Sequence, residues 1–246
     1  MRRFLCPDLS AGFLSREESH HAAVVLRMKE GDACSLFNGK GGEAKAVLTR
    51  VQKNKTEYRT LSIQQSSGAC YRLILGQAIP KGKAMDLILQ KATELGLQEI
   101  YPIASDHSVV QLDEERIESK LDKWKQTLVE ACKQCGQNTL PVLHPVSKIQ
   151  DFLDAQQASK GLKLIGSLQP DARPLGQVLE ESKKAGPLKE VVFLVGPEGD
   201  FTPSEIGKAR SSGYVSVTLG PQVLRTETAS IYLISVLSYE LSKQAC

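Results

Sequence analysis

The 246-residue sequence has no apolar run near the roughly 18–20 residues that a membrane helix requires, so a helical membrane span is not expected. It has no internal repeat and no low-complexity segment. Aromatic residues make up only 5% of it, and the mix of charged and apolar residues is that of a soluble globular protein. No disulfide framework is visible: the six cysteines, Cys6, Cys34, Cys70, Cys132, Cys135 and Cys246, are scattered. Cys132-Lys133-Gln134-Cys135 has the C-x-x-C spacing, but it lacks the second pair or close histidines of a zinc site, and only His144 is near. It also lies in a helical pattern, so two core or half-exposed thiols are expected. No G-x-G-x-x-G follows the first strand of the sheet, which argues against a dinucleotide-binding dehydrogenase. Gly39, Gly41 and Gly42 are not followed by a helix start, so they are not a phosphate loop. The segment MRRFLCPDLS carries two arginines but no apolar stretch of a signal peptide, and a cytoplasmic protein is expected.

Charge is nearly balanced, at +3 overall. Residues 1–70 carry 11 Lys+Arg against 7 Asp+Glu, whereas the remainder carries 20 against 21. The positive excess is all in the first part, which is the balance of a polyanion-binding segment or simply of a soluble surface.

The chain is organised around the stretch 191–230. Val191 to Val195 is a continuous apolar run and reads as a strand buried on both faces. Gly196-Pro197-Glu198-Gly199 breaks it. Thr202-Pro203-Ser204-Glu205 is a capping box with proline at the first helical position, so a helix starts there and Gly213 ends it. Tyr214 to Leu219 alternates as a strand, Gly220-Pro221 breaks the chain again, and a last helix follows Arg225. Two strands thus end in glycine turns. Ligands of open α/β sheets sit at the carboxyl ends of strands, and glycine lets a ligand approach the main chain. Glu198, Arg225, Thr226, Glu227 and Thr228 crowd the same edge. The stretch is either a ligand site with a carboxylate and a guanidinium to hand, or a pair of strand-to-helix turns with solvated charges; glycine, proline and charge in both loops favour the site.

Here the pattern GPEG-x-F-x-x-x-E, followed by LG-x-x-[IV]-LR-x-ETA, resembles the C-terminal signature of the bacterial 16S ribosomal RNA uridine-N3 methyltransferases of the RsmE type, in the SPOUT class of S-adenosylmethionine enzymes. One departure is Asp200, which stands where that family usually has a second glycine.

The first part of the chain reads as a small, mostly β module: strands at Arg2 to Phe4, Cys34 to Gly39, Glu43 to Val51 and Tyr58 to Gln64, with a helix from Ser15. H-x-x-x-V-L-R-x-x-x-G-D, from His21 to Asp32, resembles the family's PUA-like module, a small β-barrel that grips RNA. That resemblance implies that Arg2, Arg3 and Arg27 face ribosomal RNA; plain surface arginines are the alternative. Residues 64–68 read as a linker, giving an RNA-binding domain over 1–70 and a catalytic domain over 71–246.

From Tyr71 the pattern becomes β-α-β: a strand from Leu73 to Ile79, a helix with Met85, Ile88, Leu89, Ala92 and Leu95 on one face, and a strand from Ile100 to Ala104. K-G-x-x-M-D-x-x-x-x-K-A-T-E-L-G, from Lys81 to Gly96, also resembles the family, with Lys81 and Lys83 suited to RNA phosphates or to a solvated turn. His107 would replace the basic side chain that the family usually has in the loop 105–109. A long amphipathic helix spans 113–137, and its end, E-A-C-x-Q-C-G-x-N, matches too; Gln134 and Asn138 either face the site or cap the helix. A strand at Val142 to Val146, a helix from Lys148, a strand at Leu162 to Gly166 and a helix from Pro174 complete the α/β pattern.

The resemblance implies a SPOUT-type α/β domain with a C-terminal trefoil knot, and a homodimer that methylates uracil N3 in the small ribosomal subunit. It implies S-adenosylmethionine against Leu194, Gly196, Gly199, Leu219, Gly220, Leu224 and Ala229. Arg225 would stabilise the N3 anion, with Glu198 or Glu227 taking the proton; Glu198 equally suits anchoring the glycine turn. A methyltransferase for another RNA, and a non-catalytic RNA-binding assembly protein, are the alternatives.

Overall fold

The first module is built on a strand that buries alternate residues. In β3 (Gly42–Arg50) Gly42, Ala44, Ala46 and Leu48 point inward. β2 (Ala33–Phe37) lies antiparallel to it on one side and β4 (Glu57–Gln65) on the other, while β1 (Arg2–Leu5) runs parallel to β2. The four form a mixed sheet in the order β1-β2-β3-β4. Phe4, Leu14, Ala22, Leu36, Leu48 and Tyr58 fill the core against it. The computed structural model describes residues 2–66, 68–106 and 114–243.

The turn between β2 and β3 is organised by its own asparagine. The Asn38 side-chain oxygen accepts the main-chain N–H groups of Lys40 and Gly42, both at 2.8 Å, and folds the turn on itself. A Cβ on Gly42 would lie 2.5 Å from the Asn38 amide, so a larger residue there would displace the side chain that folds the turn.

The short helix α1 (Arg16–His20) is capped by Ser15, whose hydroxyl accepts the Glu18 N–H at 3.2 Å. It continues as one π-helical turn at His21–Val25. Arg27 follows in a left-handed conformation, φ 52°.

Contacts divide the chain into two units: Met1–Gly68 with Val129–Leu140, and Ala69–Leu128 with Pro141–Cys246. The segment Val129–Leu140 brings the end of a long helix, α3 (Glu114–Cys135), into the first unit. There Lys133, itself largely covered, meets the buried Glu18 at 2.6 Å. Burial pushes the Glu18 carboxyl up even with Lys133 beside it. Burial also works against the Lys133 ammonium, but Glu130 and Glu18 outweigh it and hold its pKa up. The flanking Cys132 and Cys135 are free thiols, Cys132 buried with its pKa pushed up to about 12. The C-x-x-C spacing therefore reflects helix packing around an inward lysine.

The second unit holds an eight-stranded parallel sheet. Its strands are β5 (Arg72–Ala78), β6 (Glu99–Ala104), β7 (Val142–Leu143), β8 (Ser147–Lys148), β9 (Leu162–Gly166), β10 (Arg173–Pro174), β11 (Glu190–Val195) and β12 (Val215–Thr218). The order is β10-β12-β9-β11-β5-β6-β7, with β8 also on β6. Of the strand expected over 142–146 only Val142–Leu143 forms, and a second short strand follows at Ser147–Lys148. The helices are α2 (Ala84–Glu94), α4 (Ile149–Ala155), α5 (Leu175–Lys184), α6 (Pro203–Ser211) and α7 (Thr226–Ser242), besides α3.

Both faces of the sheet are covered, and β11 shows how. Val191, Phe193 and Val195 join the core shared with α2, α5 and α7, whereas Val192 and Leu194 join the core shared with α4 and α6. A strand buried on both sides has no polar side to alternate with, which is why its sequence is continuously apolar.

At the amino ends of the central strands, Arg72 joins Glu99 of β6 and Glu190 of β11. His144 stacks on Tyr101 at 3.6 Å and bonds Glu99 at 3.1 Å. Burial pushes the Glu99 carboxyl up, but the hydrogen bonds of Arg72 and His144 outweigh that and its pKa is lowered.

Two outcomes follow from these pairs. Lys133→Met leaves Glu18 buried without its partner and is expected to cost about 3 kcal/mol in calorimetric unfolding; adding Glu18→Gln recovers part of it. Arg72 is half exposed, so Arg72→Met is expected to cost only about 1 kcal/mol near neutral pH. A lowered carboxylate pKa stabilises above the unfolded value of about 4.3 and ceases to do so as pH falls through the folded value. The gap between wild type and Arg72→Met in urea unfolding should therefore close below that range.

Candidate functional site

The cleft of the second unit lies where three adjacent parallel strands end. β9 ends at Gly166, β11 runs into Gly196, and β12 ends at Thr218. After β12 the chain passes through Leu219 to Arg225 into α7, which packs on α2, β5 and β11. The space enclosed is about 620 Å³ including its mouth, and it is lined by Gly166, Gly196, Leu219, Gly220, Leu224 and Ala229 among others.

The segment after β11 is held by three carboxylates. Glu198 Oε1 accepts the Lys81 N–H from the loop after β5 at 3.0 Å. Asp200 Oδ2 accepts the Leu168 N–H from the loop after β9 at 3.3 Å, and its Oδ1 accepts the Phe201 N–H at 2.8 Å. Glu205 completes the expected capping box with Thr202, and its Oε1 accepts the Asp106 N–H from the loop after β6 at 3.2 Å. Thr226, the first residue of α7, donates its hydroxyl to the Gly196 carbonyl at 2.6 Å.

Asp200 resolves the departure noted in the sequence. Its φ is 60°, the left-handed conformation that glycine adopts freely and aspartate tolerates. The turn therefore keeps a glycine-like backbone and gains a carboxylate clasp. Gly220, at φ 138°, needs the same freedom. A Cβ on Gly196 would stand 3.2 Å from the Phe201 nitrogen, so that turn is tight without one.

Five of the seven residues expected around a cofactor line the cleft: Gly196, Leu219, Gly220, Leu224 and Ala229. Leu194 and Gly199 do not; the Leu194 side chain packs in the core with Phe152 and Ile165. Of the expected catalytic residues, Glu198 lines the cleft. Arg225 is exposed at the N-cap of α7, and Glu227 is half-buried on its first turn. Lys81 and Lys83 are exposed in the loop after β5. In the first unit Arg2 and Arg27 are exposed. Arg3 is instead turned inward, bonded to Glu43 at 2.9 Å, Asn138 Oδ1 at 2.7 Å and the Gln137 carbonyl at 3.1 Å. Asn138 thus serves Arg3, and Gln134 is exposed. His107 lies outside the described residues.

Sequence reasoning missed Ser167, Thr218, Gln222 and Val223 of the lining. It also missed Gln77, a buried polar residue behind the cleft. A glutamine inside the apolar run of β5 was the available signal for the last.

The chemistry of the lining selects its occupant. Three glycines and several main-chain segments give close, uncharged contact, and Leu219, Leu224 and Leu233 give an apolar slot. The charged side chains in the lining are Glu198 and Asp200, and none is cationic. Such a cleft repels phosphate and suits a flat heterocycle joined to a positively charged group. S-adenosylmethionine, an adenine carried with a sulfonium, fits that description.

Asp200 offers a direct check on the turn. Asp200→Gly keeps the left-handed backbone and loses the hydrogen bonds to Leu168 and Phe201, whereas Asp200→Val also forces a β-branched residue into that conformation. The valine variant is expected to be less stable than the glycine variant by about 1–3 kcal/mol, read by thermal unfolding of the two side by side.

Comparison with known proteins agrees with this geometry. The RNA methyltransferase domain family matches residues 68–238, and the RNA methyltransferase PUA domain family matches residues 14–57. Ribosomal RNA small subunit methyltransferase E of Bacillus subtilis is 30% identical over 231 residues, covering 92% of this chain and 89% of the relative. The protein of that name from Mesomycoplasma hyopneumoniae is 30% identical over 242 residues, covering 96% and 98%. The crystal structure of a ribosomal RNA small subunit methyltransferase E from Neisseria gonorrhoeae bound to S-adenosyl methionine superposes with a TM-score of 0.86, at 33% identity and over 97% of each chain. The chain belongs to the ribosomal RNA small subunit methyltransferase E family of RNA methyltransferases.

Proposed function

We propose that this protein transfers a methyl group from S-adenosylmethionine to N3 of a uridine in 16S ribosomal RNA. The observation that carries the reading is the cleft, with glycines at 166, 196 and 220, an apolar slot, and acidic side chains without a cation. When bound, the cofactor supplies an electrophilic methyl on a sulfonium. The residues of the chain then have three tasks: to hold the methyl in line with N3, to exclude water, and to manage the N3 proton. Uracil N3 lies on the pairing edge, so the base must be unpaired or flipped out to reach the site.

Arg225, exposed beside the cleft at the N-cap of α7, stabilises the charge left on the deprotonated base. The helix start adds its own positive end at the same place. Glu227 is the better candidate for the N3 proton. Glu198 already accepts the Lys81 N–H and spends one oxygen on anchoring the loop. Its other oxygen remains for water or for the cofactor's charge. Lys81 and Lys83, with Arg2 and Arg27 of the first unit, take RNA phosphates; the Arg3 guanidinium is occupied by Glu43 and Asn138.

The same reading takes residues 1–70 as a PUA-like barrel domain that grips RNA and 71–246 as the catalytic domain. It takes the passage from β12 to α7 as part of a trefoil knot; in support, α7 returns to pack on β5 and β11 although β12 lies beyond β9. It takes the protein as a cytoplasmic homodimer acting on the small subunit. In support of the dimer, α7 leaves Tyr232 and Tyr239 on its open side at 44% and 62% exposure. The glycine-like conformation of Asp200 supports a working cleft over a non-catalytic RNA-binding role.

Titration calorimetry with S-adenosylmethionine tests the cleft. The wild type is expected to bind in about the micromolar range, and Gly220→Trp, which fills the slot, to abolish binding. A folded wild type that binds no cofactor, with or without RNA, would overturn the reading. Arg225→Ala should keep cofactor affinity while slowing methylation of small subunits by about 10²–10³-fold, with the product nucleoside identified by mass spectrometry.

A further inference from the structure

Behind the cleft runs a chain of hydrogen bonds that none of the roles above uses. Gln77, Thr226 and Ser230 are all buried, on β5 and on the first turns of α7. Ser230 Oγ lies 2.5 Å from Gln77 Oε1. Gln77 Nε2 lies 2.9 Å from the Ala78 carbonyl and 3.3 Å from Thr226 Oγ1. Thr226 Oγ1 lies 2.6 Å from the Gly196 carbonyl. Direction follows from chemistry. A carbonyl only accepts, so the Gln77 nitrogen must face Ala78 and the Thr226 hydroxyl must donate to Gly196. The Thr226 hydroxyl donates to Gly196 and therefore accepts from Gln77 Nε2, while the single Ser230 proton is shared between Gln77 Oε1 and the Thr226 carbonyl, 2.9 Å away.

We infer that Gln77 is a positioning residue for the cofactor cleft, setting through Thr226 the orientation of the Gly196 peptide and the start of α7. Both ends of the chain matter to the cleft. Gly196 and Thr226 line it, and Arg225 is the residue before Thr226. Apolar side chains of the same size would fill this space as well, but they would leave the Gly196 peptide free to turn. Directional hydrogen bonds in a dry interior fix a single orientation. β5 is a suitable anchor because it lies beside β11 in the middle of the sheet.

The inference rests on the cofactor reading, and the test separates the two. Three variants are compared: Gln77→Leu, Thr226→Val, which keeps shape and loses the hydroxyl, and Thr226→Ser, which keeps the hydroxyl. Two readouts are taken: S-adenosylmethionine affinity by calorimetry, and amide hydrogen exchange over 196–202 in the cofactor-free protein. Gln77→Leu and Thr226→Val are expected to weaken binding about tenfold and to speed exchange over 196–202, with exchange of β5 and β11 unchanged. Thr226→Ser is expected to stay within about twofold of the wild type on both. Thr226→Val matching the wild type on both readouts, or Thr226→Ser failing as badly as Thr226→Val, would overturn the inference. Should Gln77→Leu not fold, the two Thr226 variants decide it. A wild type that binds no cofactor defeats the methyltransferase reading, and the exchange rates still decide how Gln77 acts on the turn.

Discussion

Everything at the carboxyl edge of the sheet depends on how one ten-residue segment is tied down. A parallel sheet sends all its strands out at the same edge, and the loops there have no ladder to join. In this chain Glu198, Asp200 and Glu205 each accept a main-chain N–H from a different neighbouring loop, after β5, β9 and β6. Hydrogen bonds to an ionised acceptor are stronger than neutral ones. Three carboxylates within eight residues therefore organise the loops of three other strands around the end of β11. Thr226 brings in α7 through the Gly196 carbonyl. The cleft is the space left inside this set of ties, so its shape is set by main chain more than by side chains.

This arrangement explains what the sequence discloses and what it conceals. The strands are legible because burial on both faces demands continuous apolar runs, as in Val191 to Val195 and Leu73 to Leu75. The helix α6 is legible because a capping box is local: Thr202 and Glu205 answer each other across three residues. The two glycine turns, at Gly196 and Gly220, are legible as a local pattern too, whereas the other cleft residues were reached through the family resemblance.

The rest depends on partners far away in sequence. Glu198 holds Lys81 across 117 residues, and nothing beside either residue announces it. Arg3 looks like a surface cation, yet its partners Glu43 and Asn138 lie 40 and 135 residues on. The resemblance put Leu194 against the cofactor, but the period of the strand turns its side chain into the core with Phe152 and Ile165. Asp200 read as a loss of glycine because the sequence cannot show φ; at 60° the residue keeps the turn and adds a bond. Gln77 was passed over inside an apolar run, although a buried amide must find partners and so marks a place where the interior is polar by design.

The Lys81–Glu198 contact shows how one edge can serve two ligands of opposite charge. Under the proposed reaction the cleft must hold a cationic cofactor, while the surface above it must accept a polyanion. Placed side by side, a lysine and a glutamate would normally neutralise each other. Here the glutamate is satisfied by the lysine's main-chain N–H, not by its ammonium. The carboxylate stays in the wall of the cleft, and the ammonium stays exposed with Lys83 beside it. The hydrogen bond brings the two residues together without pairing their charges, which under the proposed reaction would leave the carboxylate for the cofactor and the ammonium for the RNA. A side-chain ion pair at the same place would join the loops equally well but would cancel the field that each ligand requires.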